Sequence, residues 1–109
     1  MTVKPERIPG TYMASYPFGT ETLTLNADGT FLQEVTINSE VPETVRGSWK
    51  FDGHDSRVNL YGSMVVVDGF GTLRRDWRTV TSGVDSMDVE MHWSKILIGS
   101  ARECPYIKQ

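Results

Sequence analysis

The sequence predicts an all-β fold, a single antiparallel meander β-barrel of about eight to nine strands within residues 1–109. Short runs of alternating apolar and polar residues recur along the chain, and clusters of Gly, Asp, Asn and Ser separate them. Apolar residues at helical spacing are hard to find. Closure into a barrel is favoured because a flat open sheet of this length would leave one face unprotected.

The chain opens with a proline-containing charged stretch. Pro5 and Pro9 lie among charged residues, which predicts an extended, weakly ordered lead-in over residues 1–9. This stretch has no apolar segment typical of a signal peptide. We expect a cytoplasmic protein if this N-terminus is native, and a periplasmic or extracellular one if an export signal has been removed.

The first hairpin is predicted from the stretch LTLNADGTF and its flanks. Alternating residues run before and after Ala27–Gly29, which fits a three-residue loop whose final glycine is left-handed. That loop places Leu25 opposite Phe31 and Leu23 opposite Gln33. The large apolar side chains then share one face, as a correct register requires.

A cation loop is the alternative interpretation of the same corner. Calcium needs about six or more oxygen ligands, with several carboxylates at alternating positions. Asn26 and Asp28 stand alone here, and the next acidic residue, Glu34, lies inside the second strand. The sequence therefore favours a turn over a metal site.

A second hairpin follows in VRGSWKFD and RVNLYG. Pairing Phe51 with Val58 brings Trp49 beside Leu60, and the loop of residues 53–56 closes the pair. The alternation on both sides again predicts one apolar and one polar face.

The second half of the chain also predicts strands. Residues 63–70, 71–80 and 86–93 have β-forming composition, and a bulge or turn is expected near residues 94–95. Residues 103–108 are expected to form a last strand, in which Pro105 suits an edge or a strand start.

The strand of residues 86–93 has one acidic face. Asp88, Glu90 and His92 alternate on it, opposite an apolar face of Met87, Val89, Met91 and Trp93. A metal site is one interpretation, but neither a cysteine nor a second histidine is near in sequence. We expect the three polar residues to face solvent and to bind no metal.

Charge and composition exclude several classes of function. Eleven basic and fourteen acidic residues give a net charge of −3 without a basic run, which argues against nucleic-acid binding. The longest apolar run, residues 64–67, is too short to span a membrane. The single cysteine, Cys104, offers neither an internal disulfide nor a metal framework. The chain also lacks catalytic and cofactor-binding motifs, so we expect no enzyme and no cofactor.

The first half of the chain carries a likeness to a known group. GTY, LTLNADGTF and GSW resemble the G-x-Y opening strand, the L-x-L-x-x-D-G-x-F/Y hairpin and the G-x-W third strand of small bacterial lipocalin-like barrel domains. The matching residues are Gly10, Tyr12, Leu23, Leu25, Asp28, Gly29, Phe31, Gly47 and Trp49. The chain is also distantly similar to the N-terminal barrel of NlpE-type lipoproteins.

This resemblance implies a barrel with a small hydrophobic cavity, and it leaves export open. In true lipocalins the Gly-x-Trp lies in the first strand, whereas here it lies mid-chain at Gly47 to Trp49. The NlpE-type barrel carries a Cys-x-x-Cys, for which this chain has no counterpart. A redox or metal role is therefore not implied.

The expected function is non-enzymatic binding of a small apolar or amphipathic ligand. Gln33 has the inward parity of its strand, and a buried amide needs partners. A ligand could satisfy it, with Trp49 and Trp93 lining the interior and Tyr12 near one end. The alternative is a structural or protein-interaction module with a filled core, which could form a homodimer and in which Gln33 bonds to the backbone.

Overall fold

A computed structural model of the chain describes residues 3–68, 70–79 and 81–109. Eight antiparallel strands pair in sequential order and close into a barrel, which confirms the predicted fold. The strands are β1 (Gly10–Tyr16), β2 (Gly19–Leu25), β3 (Thr30–Ile37), β4 (Glu43–Asp52), β5 (Arg57–Tyr61), β6 (Asp85–His92), β7 (Lys95–Ile98) and β8 (Tyr106–Lys108). No helix among the described residues is long and apolar enough to cross a membrane.

The β2–β3 hairpin has the predicted register and turn. Leu25 pairs with Phe31 and Leu23 with Gln33. Gly29 has a φ of +89°, the left-handed conformation that the loop requires. Asp28 Oδ1 accepts hydrogen bonds from the backbone N–H and the hydroxyl of Thr30. The carboxylate therefore stabilises the turn, and these bonds lower its pKa.

The β4–β5 hairpin is also confirmed. Trp49 pairs with Leu60 and Phe51 with Val58, and residues 53–56 form the turn. Val58, Leu60 and Trp49 are buried, so the alternation places the apolar residues in the barrel interior as expected.

The barrel has two different ends. At the lower end lie the β2–β3, β4–β5 and β6–β7 turns and residues 3–9. At the upper end lie the β1–β2 turn, the β3–β4 loop, the described part of residues 62–84 and residues 99–105. We call residues 62–84 the flap.

The predicted extended lead-in is wrong. Pro5–Arg7 form a 3₁₀ helix, and Val3 and Ile8 are almost fully buried in the main core. The Tyr12 hydroxyl donates a hydrogen bond of 2.6 Å to the Ile8 carbonyl. The segment is ordered because its two apolar side chains fill the lower end of the barrel. The sequence did not indicate this, because charged residues surround both of them.

The two strands predicted within the flap are also wrong. The described part of residues 63–80 contains turns and single bridges, Met64 with Thr81 and Val67 with Leu73. Its apolar side chains cover the upper end of the barrel instead of continuing the sheet. A second core forms there from Val35, Ile37, Met64, Val66 and Trp77.

Arg78 ties the flap to the neighbouring loop. Its guanidinium lies over the Trp77 ring, 4.4 Å from the centroid, and pairs with Glu40 at 2.7 Å and with Glu43 at 3.5 Å. These contacts join the flap to the β3–β4 corner. The cation–π contact also covers one face of the buried tryptophan.

Strand β6 is confirmed, but Trp93 does not belong to its inward face. Trp93 is 97% exposed, and Trp93 and Ser94 both have positive φ. These two residues form the tight turn between His92 and Lys95, because right-handed strand twist favours such turns in two-residue hairpins. The turn was expected one residue later, near residues 94–95.

The rest of β6 has the predicted faces except at Asp88, which was expected to face solvent. Met87 and Val89 are buried, whereas Glu90 and His92 are exposed and pair with each other at 2.9 Å. Asp88 is half-buried and accepts a hydrogen bond from Ser100. No group of three or more potential metal ligands is assembled among residues 3–68, 70–79 and 81–109.

Gly47→Ala should destabilise the barrel by about 2 kcal/mol, as overpacked cores do. A Cβ at this position would lie 2.3 Å from the Tyr61 carbonyl oxygen and 2.6 Å from the Phe31 ring. Gly53→Ala is the matched control, because its Cβ would find only the Phe51 ring at 3.7 Å. Urea unfolding of both variants measures the difference, and equal stabilities would contradict this packing.

Candidate functional site

A cleft of about 520 Å³ opens at the upper end of the barrel. It lies between the flap and the β7–β8 loop. Apolar and polar residues share its lining: Tyr16, Val65, Val67, Asp68, Gly71, Ser82, Val84, Asp85, Ala101, Arg102, Glu103, Cys104 and Tyr106.

A buried carboxylate lies beneath the floor of this cleft. Glu21 of β2 is only 2% exposed, and three side chains donate hydrogen bonds to it. Tyr16 of β1 donates to Oε2 at 2.5 Å, and Tyr106 of β8 and Gln33 of β3 both donate to Oε1. A smaller pocket reaches Glu21 itself and shares Tyr16, Arg102 and Tyr106 with the cleft. The cluster therefore connects the barrel interior with the cleft.

The strand pattern explains why Glu21 points inward. It has the parity of Leu23 and Leu25 on β2, so its side chain enters the barrel. Gln33 lies on the neighbouring strand, opposite Leu23, and is fully buried. The carboxylate and the amide therefore meet diagonally across the hairpin.

Gln33 also holds the flap. Its Oε1 accepts a hydrogen bond from the Met64 N–H at 2.7 Å, and its Nε2 donates to the Met64 carbonyl at 3.2 Å. The inward orientation of Gln33 is confirmed, and its amide bonds to the backbone as the structural interpretation expected. It does not contribute to the lining of the cleft.

Burial dominates the ionisation of this cluster. Removal from water raises the pKa of Glu21, although the hydrogen bonds from Tyr106, Tyr16 and Gln33 and the charge of Arg102 act against that rise. Burial and the nearby Glu21 carboxyl also raise the pKa of both tyrosines. The two phenols are therefore protonated and act as hydrogen-bond donors to Glu21.

The walls of the cleft are mainly acidic. Arg102 donates a hydrogen bond of 2.6 Å to Asp85, and the charge of Asp85 raises its pKa although burial opposes that rise. Asp68 and Glu103 add two more carboxylates to the lining. Among the described lining residues, three carboxylates therefore face one guanidinium.

The structure does not bring the four predicted ligand contacts together. Tyr12 is buried with its hydroxyl on Ile8, and the Trp49 ring donates to the Asn26 carbonyl at 2.9 Å, both towards the lower end. Trp93 is exposed at a lower turn, so its predicted place in the interior is wrong. Of the four, only Gln33 contacts the cluster beneath the cleft.

Sequence reasoning missed Glu21, Tyr106 and Arg102 as members of this site. The parity of Glu21 with Leu23 was the one available signal, because it indicates a charged side chain on an inward face. The two other residues reach the site from the far end of the chain, and local patterns carry no information about that contact.

Neither histidine of the chain lies at this cleft. Both histidines, His54 and His92, are exposed towards the lower end of the barrel, away from the cleft. Cys104 is half-buried in the lining. The site therefore offers hydrogen-bonding and charged groups around apolar walls, without a histidine to act as a general base.

The sequence matches no protein-family model, no curated protein and no solved structure. The resemblance to lipocalin-like barrels therefore stays a hypothesis.

Glu21→Gln should remove a pH dependence of stability. A raised folded-state pKa means that the folded chain holds this proton more tightly than the unfolded chain, whose glutamate titrates near 4.5. The stability that Glu21 contributes is full below that pH and is lost as the pH rises through the raised pKa. The free energy of unfolding of the parent minus that of the variant should therefore fall with rising pH, by at most about 1.4 kcal/mol per pH unit.

Denaturant titrations from pH 4.5 to about pH 8 measure this difference. Glu6→Gln removes an exposed carboxylate and controls for the loss of one negative charge. A parent-minus-variant difference that stays flat or rises with pH would show that burial does not raise the pKa of Glu21.

Proposed function

We propose that this protein is a non-enzymatic binding protein for a small amphipathic molecule, which it takes into the cleft at the upper end of its barrel. The resemblance to small lipocalin-like barrels pointed to the same class of function. The proposed place differs, because the sequence suggested the barrel interior.

The observation that carries this proposal is the combination of a sizeable cleft with mixed lining. A volume of about 520 Å³ lies in the range of small-molecule sites. Val65, Val67 and Val84 provide apolar wall, and Tyr16 and Tyr106 provide converging polar groups. A ligand with an apolar body and one polar end matches these surfaces.

The barrel interior is less suited to a ligand. Its described apolar side chains fill it with the main core, which includes the fully buried Tyr12, Phe31 and Leu60. A barrel of eight strands is just wide enough for side chains to fill it. A ligand is therefore expected at the end of the barrel and not on its axis.

Ala101→Trp should abolish binding without loss of the fold. Ala101 is exposed and lines the cleft, so an indole there would occupy ligand space. A thermal-shift screen of alkyl amines, fatty acids and aromatic acids identifies a ligand for the parent. Ligand at a hundredfold excess over its Kd stabilises a protein by about 2.7 kcal/mol.

The control is Ala27→Trp, which places the same bulk on an exposed turn at the lower end. The parent and this control should bind equally, and Ala101→Trp at least about tenfold more weakly. Equal binding by all three chains would move the site away from the cleft. A screen in which no compound stabilises the parent would contradict the proposed function.

A further inference from the structure

We propose that the cleft recognises an organic cation, a protonated amine on an apolar body, through the hydroxyl oxygens of Tyr16 and Tyr106. This inference rests on the proposed function and names the class of ligand that the same cleft takes.

The hydroxyl protons of Tyr16 and Tyr106 are both used in hydrogen bonds to Glu21. A tyrosine hydroxyl has one proton to donate and lone pairs with which to accept. Tyr16 and Tyr106 both direct that proton to Glu21. Both residues also line the cleft. While Glu21 is ionised, their oxygens can therefore only accept hydrogen bonds from a ligand, and a protonated amine is rich in donors.

The described walls of the cleft carry more negative than positive side chains. Asp68, Asp85 and Glu103 line the cleft, and Arg102 is the one cationic side chain among the described lining residues. Arg102 already pairs with Asp85 at 2.6 Å. A ligand carboxylate would have to share Arg102 with Asp85 and to lie near further negative charges. A ligand cation meets attraction from the same groups.

The buried Glu21 beneath the floor of the cleft also favours a cation. Glu21 is hydrogen-bonded, but it forms no ion pair within the described part of the chain. A nearby positive charge favours the ionised form of a carboxyl group. An amine bound on Tyr16 and Tyr106 would thus stabilise the Glu21 carboxylate through the two hydroxyls, and the ionised carboxylate would in turn make those hydroxyl oxygens better acceptors.

The aromatic rings add a further contact. Tyr16 stacks on Phe18 with ring centroids 5.0 Å apart, which fixes the ring at the edge of the cleft. Cations are attracted to the faces of aromatic rings. Val65, Val67 and Val84 are available to the apolar part of the ligand.

Three probes of equal chain length test the class of ligand directly. We would measure the Kd of n-octylamine, octanoate and n-octanol for the parent protein by titration calorimetry at neutral pH. The amine should bind at least about tenfold more tightly than both other probes, a difference of about 1.4 kcal/mol. The parent comparison requires no substitution and so does not depend on the folding of a variant.

Substitutions then locate the contact. Tyr16→Phe and Tyr106→Phe each remove one acceptor oxygen and should weaken octylamine binding about tenfold, with little effect on octanol. Tyr12→Phe is the matched control, because Tyr12 is also buried but donates its proton to Ile8 near the lower end. It should leave the Kd of octylamine unchanged.

The outcomes separate the two proposals. Octanoate or octanol binding as tightly as octylamine would overturn the cation inference and leave the proposed function intact. Octylamine binding that is equally strong in the parent, Tyr16→Phe and Tyr106→Phe would overturn the assigned contacts. If none of these probes and no compound of the wider screen binds, the proposed function itself fails.

Discussion

The carboxylate of Glu21 is the point on which the upper half of this barrel depends. Its three hydrogen bonds join β2 to β1, β3 and β8 through Tyr16, Gln33 and Tyr106. Gln33 extends the network to the flap by bonding both backbone groups of Met64. One buried side chain thus connects the sheet, its closing strand and the segment that covers its upper end.

This connection matters most where the barrel closes. Strand β8 has only three residues, and it pairs with β1 through Tyr12 with Lys108 and Met13 with Ile107. So short a seam gains little from backbone pairing alone. A hydrogen bond contributes about 0.5–1.5 kcal/mol net, so the Tyr106 hydroxyl strengthens the closure from inside the barrel.

A buried carboxylate is a costly way to hold strands together, because apolar residues could fill the same space without desolvation. Its retention beneath a cleft becomes reasonable if the cluster also serves a ligand. The arrangement that satisfies Glu21 directs the hydroxyl protons of Tyr16 and Tyr106 to the carboxylate, and both residues also line the cleft. Glu21, Tyr16 and Tyr106 would then both stabilise the barrel and take part in the proposed recognition of the ligand.

The parts of the fold that could be predicted are those set by neighbours in sequence. The turn at Gly29 and the alternation around Trp49 determine two hairpins, because turn geometry and parity are local properties. Trp93 shows that strand alternation alone can mislead. It continues the alternating pattern of β6, but it lies in the two-residue turn that follows the strand. The flap shows that β-forming composition can mislead as well. Its residues Met64, Val66 and Trp77 lie in segments with strand-like composition, but they pack across the end of the barrel.

The site was predictable only in part, for the same reason. Gln33 was recognised as an inward polar residue, and Glu21 has the same signal on the adjacent strand. Tyr106 is 85 residues away from Glu21 in sequence, and no local pattern indicates that pair. The cleft arises only when the flap and the β7–β8 loop come together at one end of a closed barrel.

A double-mutant cycle between Glu21→Met and Tyr106→Phe tests the central role of the carboxylate most directly. Each single change leaves a buried partner with one hydrogen bond fewer, whereas the double change removes both members of that bond together. The free energies of unfolding should therefore show a coupling of about 1 kcal/mol or more, with the double variant more stable than the sum of the single effects predicts. Strictly additive effects would contradict the account, because they would show that Glu21 and Tyr106 do not stabilise the barrel through each other.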